Sequence, residues 1–277
     1  MTNNGQSAHP IQTLRDVITL LEASILLCLA RPGKKAVHQL RSATRRVEAQ
    51  LELLPMLPQL PVHEPQRRKT LRLLKKLRRA AGEVRDLDVQ RDLILSEATA
   101  ANNKRPSRSL RDEARKLRRE LKGRRDEQAG QLLALLHKQS AHLPLIFEEL
   151  LDTLAPAASL ALTETELTGL AHNLYAHPVS GPTPAAHNDI AQLHALRKRA
   201  KLARYLAESA PVTAAAAHRL AARFEKLQVT GGQWHDWLIL ADVAAGELGD
   251  SAKLPPLFAA HAQSSLRAFK RQLAHQP

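Results

Sequence analysis

Two stretches of the chain place a histidine three residues before one basic residue and seven residues before another. Their members are His38, Arg41 and Arg45 in "VHQLRSATRR" and His194, Arg197 and Lys201 in "LHALRKRAKLAR". Arginine offers a rigid fork of N–H donors to phosphate oxygens, and lysine offers a mobile point charge. Histidine, with an ordinary pKa near 6.5, is largely uncharged at pH 7 and acts as a neutral donor. The repeated pattern therefore indicates anion binding.

Helical periodicity places these groups on narrow stripes. At 100° per residue, Lys34, Arg41 and Arg45 fall within about 60° of His38, and the second set occupies an arc of about 80°. The apolar residues lie opposite: Val37, Leu40, Val47 and Leu51 in the first copy, and Leu196, Ala200 and Ala203 in the second. Each helix is thus predicted to bury one face and to present cations on the other.

Further basic residues extend both stripes. The additional candidates are Arg46 on the first helix, Arg68, Arg72, Lys75, Lys76 and Arg79 on the helix that follows it, Lys198 and Arg204 in the second copy, and Arg219, Arg223 and Lys226 on the weaker counterpart. Like charges at helical neighbour positions repel by a few tenths of a kcal/mol per pair. A bound anion would account for stripes that carry so few acids.

Carboxylates near two glycines are the candidates for a different role. Arg85, Asp86 and Asp88 follow Gly82, and Asp236 holds the equivalent place in the second copy. These aspartates could ligate a divalent cation, but the surrounding basic residues favour structural ion pairs that orient arginines. The histidines form no close ligand pair, so we expect neither a metal nor another cofactor.

The order of these motifs indicates an internal duplication. Each half of the chain has a His/Arg helix, a basic helix and a Gly-x3-Asp segment. Aromatic residues make up 3% of the chain, whereas helix formers are abundant. We predict an all-α fold with two similar four-helix-bundle repeats related by a pseudo-twofold axis, joined by a long connecting helix. This prediction makes residues 11–275 one domain, with repeats at 11–140 and 143–275.

Leucine spacing and glycines predict where the helices lie. Leu110, Ala114, Leu117 and Leu121 form the seam of the connecting helix, under a highly charged exterior. The glycines are interpreted as helix ends, which separates helix 65–81 from helix 83–101 and helix 211–229 from helix 233–248.

The net charge of +14 is concentrated in one part of the chain. Residues 34–125 hold 26 Lys and Arg against 11 Asp and Glu, and the remainder holds 15 against 16. Such an excess suits nucleic acid, an acidic membrane surface or a phosphate polymer. The longest apolar run is too short for a bilayer, and the single Cys28 suits a reducing compartment. We expect a soluble, cytoplasmic protein without a membrane partner.

Together, the two H-x-x-R-x-x-x-R/K helices, the basic helix between them and "GEVRDLDV" resemble the CHAD family of conserved histidine α-helical domains. The resemblance covers about residues 11–275. It implies two four-helix repeats whose basic faces line a groove that binds inorganic polyphosphate, and association with polyphosphate granules. The positions that match are His38, Arg41, Arg45 and Arg46, then His194, Arg197, Lys201 and Arg204. Glu48 stands where a further basic residue is usual in the family. His235-Asp236 replaces the arginine-aspartate pair of the first copy, which predicts weaker binding in the second half.

Polyphosphate has phosphates and no bases, so spaced cations are sufficient to recognise it. Single-stranded nucleic acid is a weaker candidate, because the first stripe has no aromatic residue for base stacking. Backbone-directed binding of nucleic acid stays open as an alternative. A phosphate-transfer or hydrolysis enzyme using the same groove is the other, although the chain lacks a P-loop. We expect a non-enzymatic protein that targets or organises polyphosphate granules.

Overall fold

Helices dominate the computed structural model, which describes residues 7–99, 107–176, 190–249 and 251–274. About 87% of the structure is helical and these ranges contain no strand, so the predicted all-α class is confirmed. An isolated antiparallel bridge joins Ala8 to Leu162, with both N···O distances at 2.8 Å. The abundance of leucine, alanine and arginine explains the helical content, because these residues lose little side-chain freedom in a helix.

The chain forms its helices in a simple order. The described helices are α1 (Pro10–Ala30), α2 (Lys34–Leu53), α3 (Glu64–Thr99), α4 (Arg108–Gln139), α5 (His142–Leu154), α6 (Glu164–Ala176), α7 (Ile190–Ala207), α8 (Ala215–Leu248) and α9 (Leu254–Ala274). Proline stands at the first position of α1, where its missing N–H costs nothing.

Two helices run straight through predicted breaks. Helix α3 has 36 residues and α8 has 34, so the separation of 65–81 from 83–101 and of 211–229 from 233–248 is wrong. Gly82 and Gly231 are buried inside these helices. A glycine costs a helix only about 1 kcal/mol relative to alanine, which the burial of neighbouring leucines outweighs. Among the glycines of the described ranges, Gly249 alone, with φ of 79°, has the left-handed conformation that glycine favours after a helix end.

Two compact units divide the chain. Unit 1 takes in Met1–Ala81 and Leu133–Gln228, and unit 2 takes in Gly82–Leu132 and Val229–Pro277. Each unit therefore combines one segment from each half of the chain. The single domain at 11–275, the repeats at 11–140 and 143–275 and their pseudo-twofold relation stay predictions.

In unit 1, α2 packs against α1 and α7 through the predicted apolar face. Val37, Leu40, Val47 and Leu51 are fully buried, which confirms the helical phase inferred from their spacing. The basic residues of α2 are thereby directed away from this core. Cys28 of α1 is also fully buried, and burial raises the pKa of its thiol to about 11.

The core of unit 2 contains the predicted seam of α4. Leu117 and Leu121 are fully buried and Ala114 nearly so, in a cluster with Leu240 and Phe258. Leu110 packs at the edge of this cluster and is partly buried. The apolar side of α4 is therefore fixed by packing within unit 2.

Candidate anion-binding site

All the predicted anion-binding residues lie in unit 1. They come from four helices: Lys34, His38, Arg41, Arg45 and Arg46 from α2; Arg68, Arg72, Lys75, Lys76 and Arg79 from α3; His194, Arg197, Lys198, Lys201 and Arg204 from α7; and Arg219, Arg223 and Lys226 from α8. Because α2 and α7 pack together, the two halves of the chain contribute to the same unit.

Two half-buried arginines, from α2 and α3, pair with one carboxylate, and two neighbouring cations of α7 interact with this group electrostatically. We call Arg45, Arg78, Arg197 and Lys198 the cationic cluster. Glu48 accepts from Arg45 Nη1 at 2.7 Å through Oε2 and from Arg78 Nη1 at 2.6 Å through Oε1. The three side chains are only 11%, 20% and 13% exposed for Arg45, Arg78 and Glu48. Both oxygens of the one acid are thus occupied by arginines.

Electrostatic effects link the members of the cluster. Burial lowers the pKa of Lys198, and Arg45, Arg197 and Arg78 lower it further. The pKa of Arg78 is also lowered, first by burial and then by Arg45, although Glu48 opposes the shift. These directions show that the cations repel one another in a partly desolvated place. A bound anion would relieve that repulsion.

His194 stands beside the cluster on α7. Burial lowers the pKa of its imidazole below 6.5, and Arg197 and Lys198 lower it further. The ring is therefore neutral at pH 7 in the free protein. His38, by contrast, is exposed near the start of α2.

Two predicted ligands also make ion pairs that link helices. Arg46 Nη2 lies 2.9 Å from Glu208, and Arg204 Nε donates to the same carboxylate at 2.5 Å. Arg204 also pairs with Glu225 of α8 at 2.9 Å. Both guanidinium groups lie against the ring of Tyr205, at 4.7 and 5.7 Å from its centroid. These contacts fix the positions of both guanidinium groups, and their role as ligands stays a prediction.

The remaining predicted cations form an exposed outer set. On α3, Arg68 pairs with Glu64 at 2.6 Å and Arg72 donates to the Arg68 carbonyl at 3.3 Å. The other exposed members are Lys75, Lys76 and Arg79 on α3 and Arg219, Arg223 and Lys226 on α8. Arg41 and Lys201 are half-buried, one turn from Arg45 and Arg197 respectively.

Sequence reasoning missed Arg78. On the helical wheel of α3, this residue falls at the flank of the basic stripe, next to Leu71 and Leu74. Its position between the stripe and the apolar face was the available signal, because boundary residues become half-buried when a third helix packs nearby. Glu48, which stands where the family usually has a basic residue, serves here as the counter-ion of Arg45 and Arg78.

The carboxylates that follow the glycines make ion pairs within unit 2. Arg85 Nη1 lies 2.9 Å from Asp86 and 2.9 Å from Asp236, and Arg85 Nη2 donates to Asp236 at 3.2 Å. Burial opposes the charge of Arg85, but Asp236 and Asp86 outweigh it and raise its pKa. Asp88 instead pairs with Arg125 at 3.1 Å. Within the described ranges, no group of three or more metal-ligating side chains is found.

Comparison with known proteins identifies the family. A model of the CHAD domain matches residues 18–245, so the chain belongs to the CHAD domain family. PptA from Streptomyces chartreusis has a similar structure, with a TM-score of 0.64 and 15% identity over 96% of this chain and 98% of PptA. The CHAD domain from the plant Ricinus communis gives a TM-score of 0.59 and 16% identity over 98% of this chain and 88% of that domain. No curated protein matches the sequence. None of the helices in the described ranges is long and apolar enough to cross a membrane.

Proposed function

We propose that this protein binds inorganic polyphosphate at the cationic cluster of unit 1, without acting as an enzyme. The observation that carries the proposal is the cluster itself, in which two half-buried arginines share one carboxylate and the cations Arg197 and Lys198 lie within electrostatic reach. Membership of the CHAD family is consistent with a role in polyphosphate binding. The outer cations on α3 and α8 extend the positive surface for a polymer longer than the cluster.

The chemistry of the site favours phosphate groups over bases. Arginine forks bind phosphate oxygens in pairs, and successive phosphates need successive cations. Tyr205, against which Arg46 and Arg204 lie, is buried and offers no open face for stacking. Backbone-directed nucleic-acid binding is the competing function, because the same cations would serve it.

Binding suits the composition of the cluster better than hydrolysis does. Its arginines and lysine donate hydrogen bonds, and its carboxylate already accepts from two arginines. A catalytic base must be within reach of the reacting water, whereas this carboxylate is engaged as the counter-ion of Arg45 and Arg78. An enzyme that transfers or hydrolyses phosphate with these residues is the competing function, and it is tested by measuring orthophosphate release.

Two measurements on the purified chain test the proposal. Titration with long-chain polyphosphate at physiological salt, with duplex DNA and RNA as competitors, should show saturable binding that equal phosphate concentrations of nucleic acid do not displace. Incubation with polyphosphate and Mg²⁺ should release no orthophosphate above the uncatalysed rate. Displacement by DNA would favour the nucleic-acid function, and release that is lost on changing the cluster would favour the enzyme. In cells, we propose that the chain associates with polyphosphate granules.

Polyphosphate affinity should increase as the pH falls from 8 to 6. The lowered pKa of His194 leaves its ring neutral in the free protein, and a bound phosphate chain raises that pKa, so binding takes up a proton. Each unit of difference between the two pKa values contributes up to tenfold in affinity. His194→Gln should flatten the pH profile, whereas His38→Gln at an exposed position should change it less. A profile that His194→Gln leaves unchanged would rule out this histidine as the linked group.

A further inference from the structure

Unit 2 contains a second basic feature, separate from the cationic cluster. A cavity of about 440 Å³ lies between α3 and α4. The cations that line it are Arg91 from α3 and Arg111, Arg115, Arg118, Arg119 and Lys122 from α4. Ala114, a core residue of unit 2, is the uncharged member of the described lining. We call this feature the basic cavity.

Two arginines of the basic cavity are partly buried. The Nε atoms of Arg91 and Arg118 are buried and, within the part of the chain that the structure describes, have no hydrogen-bond partner. A buried N–H group that has lost water without gaining a partner is costly. An anion in the basic cavity would accept from these groups.

The charge around the cavity is poorly compensated. Arg115 pairs with Asp112 at 3.2 Å, and the more distant Arg108 shares that acid at 3.9 Å. The lining still brings five arginines and one lysine to one place. Such a concentration repels itself strongly in the absence of an anion.

The spacing on α4 indicates the size of the anion. Arg111, Arg115, Arg118 and Lys122 follow positions i, i+4, i+7 and i+11, so they share one face of the helix. At 1.5 Å per residue, this row is about 16 Å long. One orthophosphate could meet only part of the row, whereas three linked phosphates are within reach of most of these long, flexible side chains at once. The described lining has no aromatic residue to stack on a nucleobase.

We propose that the basic cavity is a second anion-binding site, which takes a compact oligophosphate such as tripolyphosphate. The guanidinium groups of Arg91 on α3 and Arg118 on α4 donate hydrogen bonds to it, and the exposed cations of α4 pair with its outer oxygens. This inference does not depend on the proposed function, because none of the residues of the cationic cluster takes part.

Nuclear magnetic resonance of the arginine Nε–H groups in the full chain tests the inference directly. The Arg91 and Arg118 signals are assigned from Arg91→Gln and Arg118→Gln. Tripolyphosphate should shift both signals in a saturable way. It should do so at concentrations at least tenfold lower than sodium sulfate requires, with the ionic strength kept equal in the two titrations. Shifts that follow ionic strength alone, or no shift, would overturn the site.

A pair of double variants provides the matched control. Arg91→Gln with Arg118→Gln should weaken the tripolyphosphate response of the remaining cavity signals at least tenfold. Arg108→Gln with Arg267→Gln removes the same charge from exposed places in unit 2 outside the cavity, and should change the response less than twofold. Equal losses from both pairs would mean that only bulk charge is sensed. If the first pair fails to fold, the signals of the unmodified chain still decide.

A second titration of the same signals uses long-chain polyphosphate. Cavity signals that respond to the long polymer but not to tripolyphosphate would overturn the compact ligand and assign these cations to the polymer surface. Loss of polymer binding at the cationic cluster, with the tripolyphosphate response retained, would refute the proposed function and leave this site standing.

Discussion

Replacing Arg45, Arg78, Arg197 and Lys198 together by glutamine should lower the affinity for long-chain polyphosphate by about 100-fold at physiological salt. A factor of 100 corresponds to about 2.7 kcal/mol. Hydrogen bonds to charged groups each contribute about 1.5 to 3 kcal/mol, and neighbouring losses are not additive, so this is a conservative figure for four contacts. Titration calorimetry or fluorescence anisotropy with a labelled polymer measures it.

The control removes four positive charges elsewhere. Arg15, Arg31, Arg108 and Arg267 are exposed and lie outside both the cationic cluster and the basic cavity. Their joint replacement by glutamine should cost less than about threefold, because screening at this ionic strength limits distant charges to a small effect. Circular dichroism establishes that both variants stay helical. Similar losses in the two variants would show that net charge, and not the cluster, attracts the polymer.

Glu48→Gln should destabilise the protein and tighten its binding. Removing the negative charge that pairs with both Arg45 and Arg78 leaves two half-buried guanidinium groups without this counter-ion. Breaking a fully buried ion pair costs about 3 to 5 kcal/mol, and partial exposure together with the glutamine carbonyl reduces this to about 2 kcal/mol of unfolding free energy. Polyphosphate can then take over both arginines, so its affinity should increase several-fold.

Thermal unfolding with and without polyphosphate measures both effects. Saturating polymer should raise the melting temperature of Glu48→Gln more than that of the unmodified chain, since tighter binding stabilises the folded state more. Glu149→Gln is the matched control: its carboxylate pairs with Lys69 but is 45% exposed, so the loss should be under about 1 kcal/mol and binding should not change. An unaltered melting temperature and affinity in Glu48→Gln would contradict its role as counter-ion.

Periodicity predicted the helical faces well because the burial of one face is a local property. Val37, Leu40 and Leu117 are buried where their spacing requires, and the predicted cations of α2 and α7 lie in one unit. The positions of the ends of α3 and α8 were harder to predict. A glycine sets a small local penalty, and tertiary packing decides whether the helix continues past it.

The sequence did not predict the roles of side chains that depend on a neighbouring helix. Arg78 and Glu48 come together across α3 and α2, and no spacing within either helix encodes that meeting. The basic residues of α4 were interpreted as part of a highly charged exterior, yet Arg118 lines a cavity together with Arg91 of α3. Ion pairs between helices follow no periodicity in the sequence, so they can be identified only in the folded unit.

The interleaving of the two units has a consequence for how the protein is made. Unit 1 needs Leu133–Gln228 as well as its first segment, so no single cut releases it intact. About 120 residues separate Arg78 from Arg197. At 5 to 20 residues per second, a ribosome presents the first half of the cationic cluster roughly 6 to 24 seconds before the second. A nascent chain that has reached residue 140 therefore carries the charge excess without the complete cationic cluster, and we expect selective binding only after α7 has emerged.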